Sequence, residues 1–137
     1  MSQFDVVILG GGSGGYACAL RSSQLGLSVA LIEENKLGGT CLHRGCIPTK
    51  ALLHAGEVAD SSRHSSDFGV NTQFIGIDML AVNAYKDGVV SKLHKGLQGL
   101  VKSRNVTYID VKILQNALKE KMPWWALALK YERVFTQ

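Results

Sequence analysis

Two cysteines with four residues between them are the groups in this sequence best suited to chemistry. Cys41 and Cys46 lie in the stretch GGTCLHRGCIPTK, with Gly45 directly before the second cysteine. In a regular α-helix, Cα atoms five positions apart are separated by roughly 8–9 Å, whereas a disulfide requires less than about 7 Å. The two cysteines can therefore bond only where the segment is bent or partly helical, and Gly45 allows that bend.

Pro48 indicates where a helix begins, because proline is tolerated in the first turn of a helix but not in its interior. We expect a helix that starts near Cys46 or Ile47, with Cys41 in a distorted segment before it. Cys46 would then lie at a helix N-terminus, where the helix dipole favours a thiolate. Lys50, four residues further on, is expected on the same face of the helix. An accessible, strained disulfide at such a place is the labile, catalytic type.

Two simpler interpretations of the cysteines are less favoured. They could be unrelated free thiols, or they could be ligands of a zinc ion. C-x4-C is not a usual zinc spacing and the sequence has no second cysteine pair, so we predict no metal site. His43 and His54 are expected to be surface or packing residues, and Cys18 is expected to be a small buried residue that packs against a sheet.

A short unit near the N-terminus predicts the elements that position these cysteines. Residues 4–9 form an apolar run rich in β-branched residues, and residues 28–32 form another, as is typical of buried strands. Residues 16–25 are expected to form a helix that ends before Gly26. Strand, helix and strand within about 30 residues make one βαβ unit. Its right-handed crossover predicts an α/β fold with a parallel sheet.

The turn between the first strand and the helix reads GGGSGG, from Gly10 to Gly15, and fits the pattern G-x-G-x-x-G. Gly10 would allow the tight turn, Gly12 the approach of a pyrophosphate, and Gly15 the close packing of helix and strand. The helix N-terminus would offer N–H groups to the phosphates. Glu33 follows Gly10 by 23 residues and could accept hydrogen bonds from a ribose. The pattern predicts a dinucleotide site without separating FAD from NAD; an ordinary glycine turn is the simpler alternative.

The middle of the chain predicts one loop and two helices. Residues 37–48 are expected to be a loop that holds the cysteine pair, and residues 49–62 a helix. Residues 63–71 are polar and predict another loop. Residues 78–103 carry apolar side chains every three or four positions, which indicates a long amphipathic helix. A third strand is expected over residues 106–109.

The pattern changes after Asp110. Residues 111–137 are rich in lysine and apolar side chains, and they include Trp124 and Trp125 but no motif. We therefore divide the chain into residues 1–110, the N-terminal part of a nucleotide-binding domain, and residues 111–137, a divergent tail.

Length and charge exclude several classes of protein. The chain has 137 residues and a net charge of +4, which predicts one domain. Its basic residues are scattered, so no nucleic-acid partner is expected. No apolar run reaches the roughly 18 residues that span a membrane, and the N-terminus does not resemble a signal peptide. We expect a cytoplasmic protein, in which a close cysteine pair is not a structural disulfide framework.

The stretch from Gly38 to Lys50, placed after a G-x-G-x-x-G unit and Glu33, resembles the pyridine nucleotide-disulfide oxidoreductases. Within that family, CLxxGCIP[ST]K followed by ALL is most similar to the dihydrolipoyl dehydrogenase branch. The branches that contain glutathione reductase and mercuric reductase are the alternative. The similarity runs from about Phe4 to Asp110. It implies a Rossmann-like FAD-binding domain, which we expect to be incomplete in this chain.

The resemblance also implies a reaction. Dihydrolipoamide on the lipoyl domain of a 2-oxo acid dehydrogenase complex would be oxidised by the cysteine pair, and FAD would pass the electrons to NAD+. Cys41 would exchange with the substrate, and Cys46 would lie next to the flavin. By the same resemblance, the residues that bind FAD are Gly10, Gly12, Ser13, Gly14, Gly15, Glu33, Gly39, Thr40, Cys41 and Lys50.

The sequence departs from the family in two ways. The family's complete enzymes are longer homodimers, with an NAD domain and an interface domain whose histidine and glutamate serve as acid and base. None of the four histidines here stands in that context. The family's G-x-G turn after the third strand is also replaced, by residues 111–113. We expect a frameshifted or truncated end and an isolated chain that is inactive, so a FAD-binding fragment without turnover is a further alternative.

Overall fold

A computed structural model describes residues 3–111. The tail from residue 112 onward, with its two tryptophans, lies outside the described residues. A 3-10 turn over Ser65–Phe68 separates the third and fourth helices. The strands and helices are β1 (Val6–Leu9), α1 (Ser13–Gln24), β2 (Val29–Glu33), α2 (Gly39–His43), α3 (Cys46–Arg63), α4 (Met79–Ser103) and β3 (Thr107–Asp110).

The three strands form one parallel sheet in the order β1-β2-β3. Ile32 of β2 is paired with Leu9 on one side and with Ile109 on the other, and Glu33 is paired with Asp110. Because β1 and β2 are parallel neighbours joined through α1, the predicted βαβ unit and the α/β fold class are confirmed.

The middle strand carries the core of the sheet. Val29, Ala30 and Leu31 are all buried, as expected for a strand that has neighbours on both edges and cover on both faces. In β1, by contrast, half-buried and exposed residues alternate. Val29 and Leu31 form one hydrophobic cluster with the buried residues Ala19, Leu37, Val101 and Val106.

A hydrogen-bonded pair joins the starts of β1 and β2. The Oδ2 atom of Asp5 accepts hydrogen bonds from the backbone N–H of Ser28 at 2.8 Å and from its hydroxyl at 2.6 Å. The backbone N–H of Asp5 in turn donates to the carbonyl of Ser28 at 3.0 Å. The hydroxyl of Ser28, and then its backbone N–H, hold the pKa of Asp5 below its usual value.

The described chain falls into two compact units. One takes residues 3–39 together with 96–111 and contains the sheet; the other takes residues 40–95. The second unit holds α3, the larger part of α4 and both cysteines of the CLHRGC stretch. Its buried apolar residues include Leu42, Ala51 and Ala59.

Two expectations were wrong. The loop predicted over residues 37–48 contains the helix α2, and α3 begins at Cys46, inside that range. A five-residue helix is too short to show an apolar period, so the sequence pattern did not reveal it. Cys18 is exposed rather than buried. Its neighbour Ala19 is the buried residue of α1, because one step along a helix turns the side chain by about 100°.

Candidate active site

Gly15 allows the first helix to pack against the first strand. A Cβ atom at this position would overlap the carbonyl oxygen of Gly10 and lie 2.9 Å from its carbonyl carbon. Gly10 itself has a φ angle of +96°, a conformation that favours glycine. Two of the three predicted glycine functions, the tight turn and the helix–strand contact, therefore have a direct structural basis.

The outer side of the same turn is open. A Cβ atom added at Gly10, Gly12 or Gly14 would meet no atom within 4 Å. No side chain caps the start of α1 at Gly12, and its first turn has no acidic residue. The first bond of the helix runs from the N–H of Tyr16 to the carbonyl of Gly12. The N–H groups of the first three residues, which include the exposed Ser13, can therefore donate to an anion.

Glu33 ties the end of β2 to the glycine turn. Its Oε2 atom accepts a hydrogen bond of 2.6 Å from the N–H of Gly11, and its Oε1 atom accepts one of 2.8 Å from the N–H of Asn35. The side chain thus has a structural function that the ribose hypothesis did not include. Each carboxylate oxygen accepts more than one hydrogen bond, so both functions are compatible.

The segment before the cysteines packs directly on the glycine turn. Gly39 has a φ angle of +60°, and a Cβ atom at this position would lie only 2.8 Å from the Cα atom of Gly12. The N–H of Gly38 also donates to the carbonyl of Gly11 at 2.8 Å. Sequence reasoning assigned no function to Gly11 or Gly38; the runs of consecutive glycines were the available signal.

The two cysteines lie on either side of a break between helices. Cys41 belongs to α2, whereas Cys46 is the first residue of α3, directly after the N-cap residue Gly45. This confirms the predicted helix start. A Cβ atom at Gly45 would lie 3.3 Å from the carbonyl oxygen of Thr40 and 3.5 Å from the Cα atom of Cys41. The close backbone approach at Gly45 is therefore what brings the second cysteine back to the first.

The surroundings of Cys41 and Cys46 shift the pKa of the Cys41 thiol. Both cysteines are free thiols in this structure. The hydrogen bond to the Cys46 side chain raises the pKa of the Cys41 thiol, burial raises it further, and the charge of Lys50 lowers it slightly. Cys46 is exposed and Cys41 is partly buried.

The predicted site residues are divided between the two units. Within the sheet-containing unit, Gly12 and Gly39 are in contact, and Glu33 reaches the same turn. Within the other unit, Cys41 interacts with Cys46 and Lys50. Thr40 is exposed, and its carbonyl accepts the N–H of Arg44 at 2.8 Å.

Two further observations concern metals and membranes. Among residues 3–111, no three histidine, cysteine or acidic side chains are grouped as the ligands of a metal ion would be. Within the same range, no helix combines the length and the apolar character that crossing a membrane requires.

Comparison with known proteins gives one family. The profile described as "Pyridine nucleotide-disulphide oxidoreductase" matches residues 4–134. A dihydrolipoyl dehydrogenase of Bacillus subtilis (strain 168) is 49% identical over 105 residues, which is 77% of this chain and 22% of that protein. Dihydrolipoyl dehydrogenase 1, mitochondrial, of Arabidopsis thaliana is 47% identical over 107 residues, 77% of this chain and 21% of that protein. The leghemoglobin reductase of Vigna unguiculata is 46% identical over 107 residues, which is 77% of this chain and 20% of that protein.

The chain thus spans about a fifth of the length of these relatives. The matched range contains both the glycine turn and the cysteine pair. The profile covers most of the sequence, and the structure places a βαβ unit, an open glycine turn and two adjacent thiols within the match. The chain therefore belongs to the pyridine nucleotide-disulphide oxidoreductase family.

Proposed function

We propose that this chain is the FAD-binding and disulfide-bearing part of a dihydrolipoyl dehydrogenase. The observation that carries the proposal is the position of Cys41 on α2 and of Cys46 at the start of α3, where a Cβ atom at Gly45 would lie 3.5 Å from the Cα atom of Cys41. The open glycine turn in the same chain supports a dinucleotide cofactor. The names of the most similar relatives support the choice of dihydrolipoamide as substrate.

The residues of the glycine turn fit the proposed cofactor. The open side of Gly10, Gly12 and Gly14 leaves room for a pyrophosphate, and the uncapped start of α1, with Ser13 and Gly15, supplies N–H donors. FAD bound there would supply a two-electron acceptor. The other residues proposed to hold it are Glu33, Gly39, Thr40, Cys41 and Lys50.

The cysteine pair would act by thiol–disulfide exchange. A thiolate of the substrate dithiol attacks the sulfur of Cys41, the bond between Cys41 and Cys46 breaks, and Cys46 leaves as a thiolate. The second substrate thiolate then attacks the substrate sulfur of the mixed disulfide, which releases Cys41 and forms the oxidised, cyclic substrate. The substrate loses two electrons and two protons. The two cysteines gain the electrons, Cys41 takes up one proton, and the other proton is released to solvent.

The hydrogen bond between the two thiols supports different roles for them, with Cys41 as the sulfur that the substrate attacks and Cys46 as the leaving thiolate. It raises the pKa of Cys41, which favours the protonated form of that thiol. Cys46 is the first residue of α3, and the dipole of this helix would stabilise the negative charge that develops on its sulfur as it leaves. Lys50, one turn further along the same helix, would stabilise that charge.

The proposed partners follow from the same assignment. They are the lipoyl domain of a 2-oxo acid dehydrogenase complex, NAD+ as the final electron acceptor, and a second copy of the complete protein in a homodimer. A location in the cytoplasm is a prediction, and the Arabidopsis relative is named as mitochondrial.

A second candidate is a FAD-binding polypeptide without turnover. The observation that favours it is the outer edge of β1, which has no partner strand among the described residues. Leu9 on this strand is 85% exposed. An uncovered apolar edge indicates an incomplete sheet, and a site that depends on such a sheet would bind the cofactor without completing the reaction.

The origin of residues 111–137 is a separate proposal. We expect this tail to come from a shifted reading frame, although the family profile extends to residue 134. Translation of the two other frames beyond codon 110 tests the proposal. The expected result is a G-x-G turn and an A-T-G-like strand end in one of them, and the absence of both would refute a frameshift.

Flavin binding by the purified chain tests the proposed function. We expect a yellow complex after addition of FAD, and we expect Glu33→Gln to weaken binding because the carboxylate holds the glycine turn at Gly11. Glu34→Gln is the matched control at the next residue. A chain that stays colourless with FAD, or equal weakening by both substitutions, would contradict the proposed site.

A further inference from the structure

His43 occupies the short connection between the two cysteines. It is the last residue of α2, two positions after Cys41 and three positions before Cys46. Gly45, the N-cap of α3, follows it by two residues. Any contact that holds His43 in place therefore also limits how far α2 can move from the start of α3.

The ring of His43 contacts the ring of His94 on α4. Their centroids are 4.9 Å apart and the ring planes meet at 75°, which is an edge-to-face arrangement. The separation lies within the range preferred by aromatic pairs, and both residues are half-buried. His54, in comparison, is exposed and pairs with Glu57 of its own helix at 3.3 Å.

The helix α2 needs anchors of this kind. It has five residues, far fewer than an isolated helix requires for stability, and Gly45 gives the connection to α3 conformational freedom. Leu42 is buried and supplies one anchor; the ring contact of its neighbour His43 supplies another. When the disulfide is reduced, α2 and α3 are joined only by the backbone of the two residues between them, so these contacts help to fix the position of Cys41.

We propose that His43 and His94 form a positioning pair for the redox disulfide. By holding α2 against α4, the pair keeps the thiol of Cys41 next to that of Cys46 in the reduced state. The contact raises the effective concentration of the two thiols and so stabilises the disulfide relative to the dithiol. This inference rests on the proposed function, because it concerns the equilibrium of the same cysteine pair.

The expected size of the effect follows from the strength of such ring contacts, which change an equilibrium constant by about two- to tenfold. For a two-electron couple, a tenfold change corresponds to about 30 mV in midpoint potential. Loss of the contact should move the potential in the less negative direction, because the reduced pair gains freedom to separate.

The experiment is a redox titration of the 137-residue chain in a Cys18→Ser background. The chain is equilibrated without FAD in mixtures of reduced and oxidised dithiothreitol. The dithiol donates two electrons, the bond between Cys41 and Cys46 breaks, both sulfurs take up protons, and dithiothreitol becomes its cyclic disulfide. Alkylation of the free thiols then gives the reduced fraction by mass spectrometry.

Three variants separate positioning from general damage. His94→Leu replaces the ring with an aliphatic side chain and should shift the equilibrium constant by more than twofold. His94→Phe keeps the edge-to-face contact and should stay within twofold of the parent, as should the control His54→Leu. A parental value for His94→Leu, or equal shifts for the Leu and Phe variants at position 94, would overturn the proposal.

Two safeguards keep the result decisive. If His94→Leu loses its helical circular dichroism signal, the test rests on His94→Phe, and a shift beyond twofold in that variant refutes the positioning pair. The titration contains no flavin, so its result can be interpreted even if the chain does not bind FAD. A failure to bind FAD would count against the proposed function alone.

Discussion

Replacement of Gly15 by alanine is the perturbation that the structure defines most sharply. The new Cβ atom would overlap the carbonyl oxygen of Gly10, lie 2.9 Å from its carbonyl carbon and lie 3.6 Å from Cγ2 of Ile8. The nearest obstacle is backbone of the glycine turn, which cannot rotate away as a side chain would. Relief therefore requires α1 to move away from β1, on which it packs.

The matched control is Gly14→Ala, one residue earlier in the same helix. A Cβ atom there would meet nothing within 4 Å, and alanine is favoured over glycine in a helix by about 1 kcal/mol. Overpacking in a close-packed region costs about 1–3 kcal/mol and occasionally more. The propensity gain applies at both positions and cancels in the comparison. Because the clash at Gly15 involves backbone, we expect the upper end of the overpacking range, which gives a difference between the two variants of about 3 kcal/mol.

Urea denaturation followed by far-ultraviolet circular dichroism measures this difference as the free energy of unfolding. We expect Gly15→Ala to be strongly destabilised and Gly14→Ala to equal or exceed the parent in stability. Flavin binding should fall with Gly15→Ala as well, because the start of α1 moves with the helix. If the two variants unfold at the same urea concentration, the assignment of Gly15 to the contact between helix and strand is wrong.

Three other changes have expected outcomes. Ser28 lowers the pKa of Asp5, so the ionised carboxylate stabilises the fold above its unfolded pKa of about 3.9, and this stability is lost as the pH falls through the lower, folded value. Ser28→Ala should therefore lower the urea midpoint at about pH 6 but have less effect at about pH 3. An equal effect at both pH values would contradict the coupling. In Gly45→Ala the added Cβ would lie 3.3 Å from the carbonyl oxygen of Thr40, so the backbone next to Cys41 must move and disulfide formation under mild oxidation should slow relative to the parent. An unchanged rate would count against the close approach. The charge of Lys50 lowers the pKa of Cys41, so Lys50→Met should raise it and shift the pH profile of Cys41 alkylation upward, and a shift in the opposite direction would exclude this contribution.

The parts of the fold that depend on local pattern were predictable from sequence. The βαβ unit has two β-branched apolar runs around a glycine-initiated helix, and the structure contains β1, α1 and β2 at those places. The start of α3 at Cys46 was also predictable, because a proline two residues later is tolerated only in a first helical turn.

The parts that depend on tertiary contact were not predictable. The approach of Gly39 to Gly12 and the hydrogen bond from Gly11 to Glu33 join segments more than twenty residues apart. No local periodicity specifies such contacts. The short helix α2 and the contact between His43 and His94 were missed for the same reason, since tertiary packing rather than helix propensity stabilises a single turn.

The central proposal is that Cys46 would pass electrons to a flavin bound by the same chain. It is tested most directly by adding a dithiol to the FAD-loaded chain and recording the long-wavelength absorbance. We expect a charge-transfer band that develops as the disulfide is reduced, is lost in Cys46→Ser and is unchanged in the control Cys18→Ser. A band that survives in Cys46→Ser, or a FAD-loaded chain that shows no band on reduction, would contradict the claim.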